Sequence, residues 1–159
     1  MAMGRSGMIF AHSFVVTPCE DGSNEIETAL TAGNYPASGS DIDVSAYERF
    51  HVLIWLGTIH GSDTPVFEIK QADANDGTLD TLDATYAKHT CAADDDGEFI
   101  AFTVEVDKLA TDHHFISVVV SGVTNGSYAA ILFLGEALSL PVTQATGVLP
   151  AASQHEFVG

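Results

Sequence analysis

The chain has 159 residues, enough for one domain that buries roughly two thirds of its unfolded surface without disulfide or metal staples. Five Lys plus Arg against 22 Asp plus Glu give a formal net charge of −17. So acidic a surface argues against nucleic acid and anionic membrane as partners, because both require cations to face phosphate.

The two cysteines, Cys19 and Cys91, have no CxxC spacing and are too few for a disulfide framework, so both are expected as free thiols. No apolar run approaches the ~18 residues of a membrane helix. The N-terminal MAMGRSGMIFAHSF carries a single Arg and a broken apolar patch, a poor secretion signal, and synthesis in a cytoplasm is the expectation.

In chain order, Met8 to Thr17 predicts a first strand, stopped by Pro18, which cannot donate to a ladder. Cys19 to Ser40, with Gly22, Gly33, Pro36 and Gly39 spaced through it, predicts a long arm or loop. Ile42 to Val44 is long enough only for a short strand.

The most informative stretch is Glu48 to Lys70. From Phe50 to Leu56 only His51 is polar, so the alternation places Phe50, Val52, Ile54 and Leu56 on one strand face and His51, Leu53 and Trp55 on the other. This predicts a strand covered on both faces, with Trp55 a core aromatic. Val66 to Lys70 predicts a second strand with one wet face. The Gly- and Pro-containing turn from Gly57 to Pro65 suggests that the two form an antiparallel pair at the centre of a sandwich.

Beyond Lys70, two acidic turn clusters, Asp73 to Gly77 and Asp94 to Gly97, flank Leu79, Leu82 and Tyr86. Thr78, Thr81 and Thr85 favour a short edge strand and loop there over a helix. Phe99 to Val106 alternates with Ile100, Phe102, Val104 and Val106 inward. Phe115 to Ser121 and Tyr128 to Ala137 predict two more strands, and Asn125-Gly126 between them is a hairpin signal, so they are expected to pair. Leu138 to Gly159 has no sustained period.

The sum is an all-β chain: an antiparallel β-sandwich, jelly-roll-like, with extended arms. Residues 1–40 form the N-terminal strand and arm, 41–138 the sandwich core and 139–159 the C-terminal tail of a single domain. Phe50, Val52, Ile54, Leu56, Phe67 and Ile69 should meet Ile100, Phe102, Val104, Ile116, Val118 and either Ile131 or Leu132 across the sandwich.

Catalytic signatures are sparse. Asp94, Asp95 and Asp96 are the weak candidates for a metal, since hard cations gather carboxylates, although adjacent acids more often make a solvated turn. Asp73 to Gly77 departs from the calcium-loop pattern, its Gly arriving one residue early. His113 and His114, adjacent on a strand, point to opposite faces and cannot share a metal there. His51 and His60 are expected in ordinary hydrogen bonds. Asp112, His113 and a serine can be drawn as a triad, but no G-x-S-x-G elbow accompanies them. Phosphate-cradling Gly loops are missing too. The expectation is a non-enzyme with no cofactor and no catalytic residue.

Four segments carry a resemblance: Asp43-Val44-Ser45-Ala46-Tyr47-Glu48, Leu56 to Pro65 (LGTIHGSDTP), Phe67 to Asp73 (FEIKQAD) and Phe115 to Gly122 (FISVVVSG). Over roughly Asp41 to Glu136 the chain resembles a group of tailed-bacteriophage virion proteins, through its pattern of turns and strands. The histidines, the arm before Asp41 and the tail after Leu138 depart from that pattern. The resemblance implies a small β-sandwich protein of the phage head, a decoration or cement protein on the outer capsid surface, made in the host cytoplasm. Its implied partners are the major capsid protein, several copies of which it would bind, and itself as a homo-oligomer, trimer before dimer. The alternative is a carbohydrate- or host-surface-binding sandwich on the virion, a head fibre or tail accessory protein, which requires exposed aromatics.

Overall fold

Period-two alternation of apolar residues builds the long strands of this protein, seen in a computed structural model that describes residues 9–16, 29–82 and 87–137. In chain order the strands are β1 (Ile9–Val16), β2 (Gly33–Tyr35), β3 (Ile42–Asp43), β4 (Tyr47–Leu56), β5 (Val66–Ala72), β6 (Asp80–Thr81), β7 (Lys88–Thr90), β8 (Phe99–Glu105), β9 (Phe115–Ser121) and β10 (Ala129–Ala137). A short 3-10 turn at Val106–Lys108 is the only helical element among the described residues. The expected tail after Leu138, Cys19 and the first part of the arm lie outside those residues.

Two antiparallel sheets result. The first has the order β1-β10-β4-β8; the second has the order β2-β9-β5-β6, with β3 also on β9 and β7 also on β5. Alternate residues of both sheets enter one core: Phe50, Val52, Ile54, Leu56, Ile100, Phe102, Val104, Ile131 and Phe133 from the first, Phe67, Ile69, Ile116, Val118 and Val120 from the second. The expected inner-face residues are therefore buried, with Ile131 rather than Leu132 as the inward member of β10; Val106 is the exception, half-buried in the 3-10 turn after β8. Ile100, Phe102, Val104 and Ile131, expected across the core from Phe50, Val52, Ile54 and Leu56, instead flank them within the same sheet, and only the residues of the second sheet face them across the sandwich.

The predicted pairings differ. β4 and β5 are not hydrogen-bonded neighbours: β4 lies between β10 and β8, while β5 lies against β9, β6 and β7. The connection Gly57 to Pro65 leads the chain from one sheet to the other, and it is anchored inward by buried Ile59 and buried Asp63. Likewise β9 and β10 belong to different sheets, so the Asn125-Gly126 turn, with Gly126 at φ +99°, joins sheets instead of closing a hairpin. Turn residues specify that a chain reverses, and they leave open which sheet it reverses into.

Two further differences concern the arm and Trp55. Within the stretch expected as arm or loop, Leu30 is buried and β2 pairs with β9 from Gly33↔Val120 to Tyr35↔Val118. Trp55 is 50 % exposed and not a core aromatic. The Phe50–Leu56 run is thus fully covered on one face only, with His51 and Leu53 half-buried on the other.

Candidate functional site: the outer face of the first sheet

The outer face of the β10-β4-β8 sheet can be read as rows of cross-strand neighbours. The register aligns Phe99, Trp55 and Ala130 in one row, Ala101, Leu53 and Leu132 in the next, then Thr103, His51 and Leu134, and finally Glu105, Arg49 and Glu136. The face is amphipathic along the strands. A solvated sheet face carries polar residues at these positions, yet two of the four rows are wholly apolar.

At the apolar end Phe99, 70 % exposed, lies near-parallel to the Trp55 ring at a centroid separation of 5.7 Å and an interplanar angle of 12°. The pair forms because the two residues are directly opposite in the β4-β8 register, where side chains on one face are close neighbours. Beyond Trp55 stands only Ala130, so nothing large in the sheet's next strand backs the indole.

At the polar end three strands are tied by charge. Arg49 lies 3.9 Å from Glu105 on β8 and 3.5 Å from Glu136 on β10. The His51 ring shares hydrogen bonds with Glu136 (Nε2 to Oε1, 3.0 Å) and with Thr103 (Nδ1 to Oγ1, 3.0 Å). Pairs this exposed contribute little individually, up to about 1 kcal/mol; their effect here is to fix a polar border to the apolar field.

The loops at the apolar end are ordered by aspartates used as backbone caps. Asp63 is 5 % exposed and accepts hydrogen bonds from the Thr124 and Asn125 backbone N–H groups, the Asn125 amide and the Ser127 hydroxyl. Burial pushes its carboxyl pKa up, but the Ser127 and Asn125 side chains and the two backbone N–H groups outweigh that and hold it well below 3.8. Sequence reasoning missed this residue. Its donors sit more than sixty positions away, and the S-D-T-P context looks like ordinary turn chemistry.

The other expected site residues are dispersed. Asp95 Oδ2 accepts from the Ala92 N–H and Asp96 Oδ1 from the Ile59 N–H, while Asp94 is exposed, so the three adjacent carboxylates do not converge on one point. In the Asp73 to Gly77 loop, Asn75 and Asp76 are hydrogen-bonded to Asp41, Ser38 and the Gly39 carbonyl, and Asp41 also accepts from the Ser117 hydroxyl on β9. His113 donates from Nδ1 to the Thr111 carbonyl and from Nε2 to Asp80 (3.1 Å), whereas His114 turns to the Asp112 carbonyl. The Thr111 carbonyl and then Asp80 raise the His113 pKa above 6.5. Asp80, not Asp112, is the carboxylate on His113, which dismantles the paper triad. His60 Nδ1 accepts from the Ser62 N–H.

Cys91 is a free, buried thiol whose pKa is pushed up to about 11, first by burial and then by the Asp95 carboxylate. A cleft of ≈ 430 Å³ opens between the sheets beside β8, lined by Ile69, Leu82, Phe102, Val104 and Leu109 with Lys108 at its rim.

No protein-family model matches this chain, and no curated protein or solved structure is significantly similar to it.

Proposed function

We propose that this chain is a structural virion protein of a tailed phage that decorates or cements the outside of the capsid by binding several coat subunits. The observation that carries the reading is an apolar field on an otherwise acidic protein of net charge −17, in which Phe99 and Trp55 are exposed and Leu53, Leu132 and Leu134 beside them are half-buried. Soluble chains seldom expose such a field unless a partner covers it. Covering the exposed parts of Trp55 and Phe99 alone is worth on the order of 5 kcal/mol gross, before the costs of association. That makes the pair a hot spot within a larger contact.

The strand order supports the finer fold reading. If β2 with β3, and β6 with β7, each count as one interrupted strand, two four-stranded antiparallel sheets remain. The chain then changes sheet at almost every connection, as in a jelly roll. Jelly rolls serve capsid and lectin domains alike, so the fold leaves the function open.

A carbohydrate-binding module on the virion is the second reading, favoured by the same exposed Trp55 and Phe99 rings, which could stack on a sugar. Co-sedimentation separates the two. The parent protein is expected to pellet with assembled shells and not with free coat subunits, and the double variant Trp55→Ala/Phe99→Ala to bind shells at least tenfold more weakly at unchanged secondary structure. Binding to a glycan array with no binding to shells would sink the first reading in favour of the second. Mass measurement tests the expected trimer; a strict monomer, free and on particles, ends that part of the proposal.

A further inference from the structure

His89 and Cys91 are two residues apart at the end of β7, so in extended backbone their side chains leave on the same face. Cys91 is fixed there by its N–H, which donates to the Pro65 carbonyl at 2.8 Å. The chain then turns, and the Asp95 N–H returns to the Ala92 carbonyl while Asp95 Oδ2 caps the Ala92 N–H at 2.8 Å. This turn brings the Asp95 carboxylate back over the strand end, 3.9 Å from His89 Nε2.

One ligand atom from each of His89, Cys91 and Asp95 lies within 4.8 Å of the other two, the only such group among the described residues. We propose that these three residues form a binding site for a zinc-type transition-metal ion. The site is independent of the virion reading.

The chemistry selects the ion. A thiol sulfur, an imidazole nitrogen and one carboxylate oxygen suit a borderline ion such as Zn²⁺ or Co²⁺, and they are too few in oxygen for Ca²⁺, which takes six to eight. Tetrahedral zinc distances place neighbouring donors roughly 3.5 Å apart. The 3.9 Å between His89 and Asp95 is close to that value, and the limit of 4.8 Å for the whole group leaves only rotamer adjustment to close it. A carboxylate oxygen that caps one N–H keeps a lone pair for a metal. Three protein donors leave the fourth position to water, on the side where His89 and Asp95 are part-exposed. The metal would pin the end of β7 to the turn that leads into β8.

The test is Co²⁺ titration of the full-length protein, freed of metal beforehand. The parent is expected to develop a thiolate-to-cobalt charge-transfer band with the visible bands of tetrahedral Co²⁺ at one equivalent. Cys91→Ser should abolish the charge-transfer band, Cys19→Ser should keep it, and His89→Gln and Asp95→Asn should each weaken binding at least about tenfold. His89 is part-exposed, so its variant tests the site even if Cys91→Ser fails to fold. Absence of the band in the parent, its survival in Cys91→Ser, or unchanged affinity in folded His89→Gln overturns the proposal.

Discussion

Gly135 on β10 offers a quantitative test of the packing. It lies opposite Phe50, on the face directed into the core, and the Tyr47 ring occupies the place a side chain would take. A Cβ added there would sit inside van der Waals contact with Tyr47, with even Cγ only 2.9 Å away, against about 3.5–4.0 Å for ordinary carbon contacts. Tyr47 is 2 % exposed and meets Phe50 edge-on at 5.7 Å, and Phe50 in turn meets Phe133 at 6.1 Å, so the ring has little room to yield. Replacing Gly by Ala in strained-free backbone would stabilise by about 0.4–1 kcal/mol through the unfolded chain. Overpacking costs about 1–3 kcal/mol and wins. Gly135→Ala should therefore lower the melting temperature by several degrees, at about 2–4 °C per kcal/mol for a chain of this size. The assay is a double-mutant cycle in urea with Tyr47→Leu, which makes room for the new methyl. The cost of Gly135→Ala should shrink or reverse sign in the Tyr47→Leu background. A neutral Gly135→Ala, or strict additivity with Tyr47→Leu, refutes the reasoning.

Three further outcomes follow from burial and charge. Phe50→Ala, at 0 % exposure, should cost about 3–5 kcal/mol, whereas Phe99→Ala, 70 % exposed, should cost about 1 kcal/mol or less; chemical denaturation of both measures the contrast. Asp63 titrates below its ordinary value, so its stabilisation is complete above pH 3.8 and is lost as the pH falls below that; the stability difference between parent and Asp63→Asn should narrow there in acid denaturation, and a pH-independent difference would contradict the capping role. His113 titrates above 6.5, so its contribution is complete below pH 6.5 and is lost as the pH rises through the raised value; the parent should lose stability there relative to Asp80→Asn, and an NMR titration of the His113 ring should give a pKa that falls in the variant.

The inner faces were legible because burial of a strand face is written locally, every second residue. Phe50, Val52, Ile54 and Leu56, or Ile100, Phe102 and Val104, need no knowledge of the rest of the chain. Strand partnership was not legible. The Gly57–Pro65 and Gly122–Tyr128 connections carry the residues of reversing turns, and what routes them between sheets is the buried Asp63 carboxylate holding Thr124, Asn125 and Ser127. That information is distributed over two loops sixty residues apart. Trp55 misled for a related reason: in an apolar run a Trp reads as core, and only the identity of the neighbouring strand, with Ala130 rather than a large residue opposite, leaves it open.

The candidate sites turn on the same distinction between neighbours in sequence and neighbours in space. Asp94, Asp95 and Asp96 attract notice by adjacency, yet consecutive residues of a tight turn diverge, and two of them end on separate backbone N–H groups. His89 and Cys91 are inconspicuous in the sequence, but a spacing of two in a strand is convergent, and the turn adds Asp95. The loop that carries this cluster is held at the start of β5 through Cys91 and Pro65, to the end of β4 through Gly97 and Leu56, and to the connection between the two sheets through Asp96 and Ile59. It ends two residues before Phe99. The ring of Phe99 therefore stands against Trp55 on a support anchored to both sheets, and a metal at His89, Cys91 and Asp95 would stiffen the base of the apolar field through which we propose the protein binds its partner.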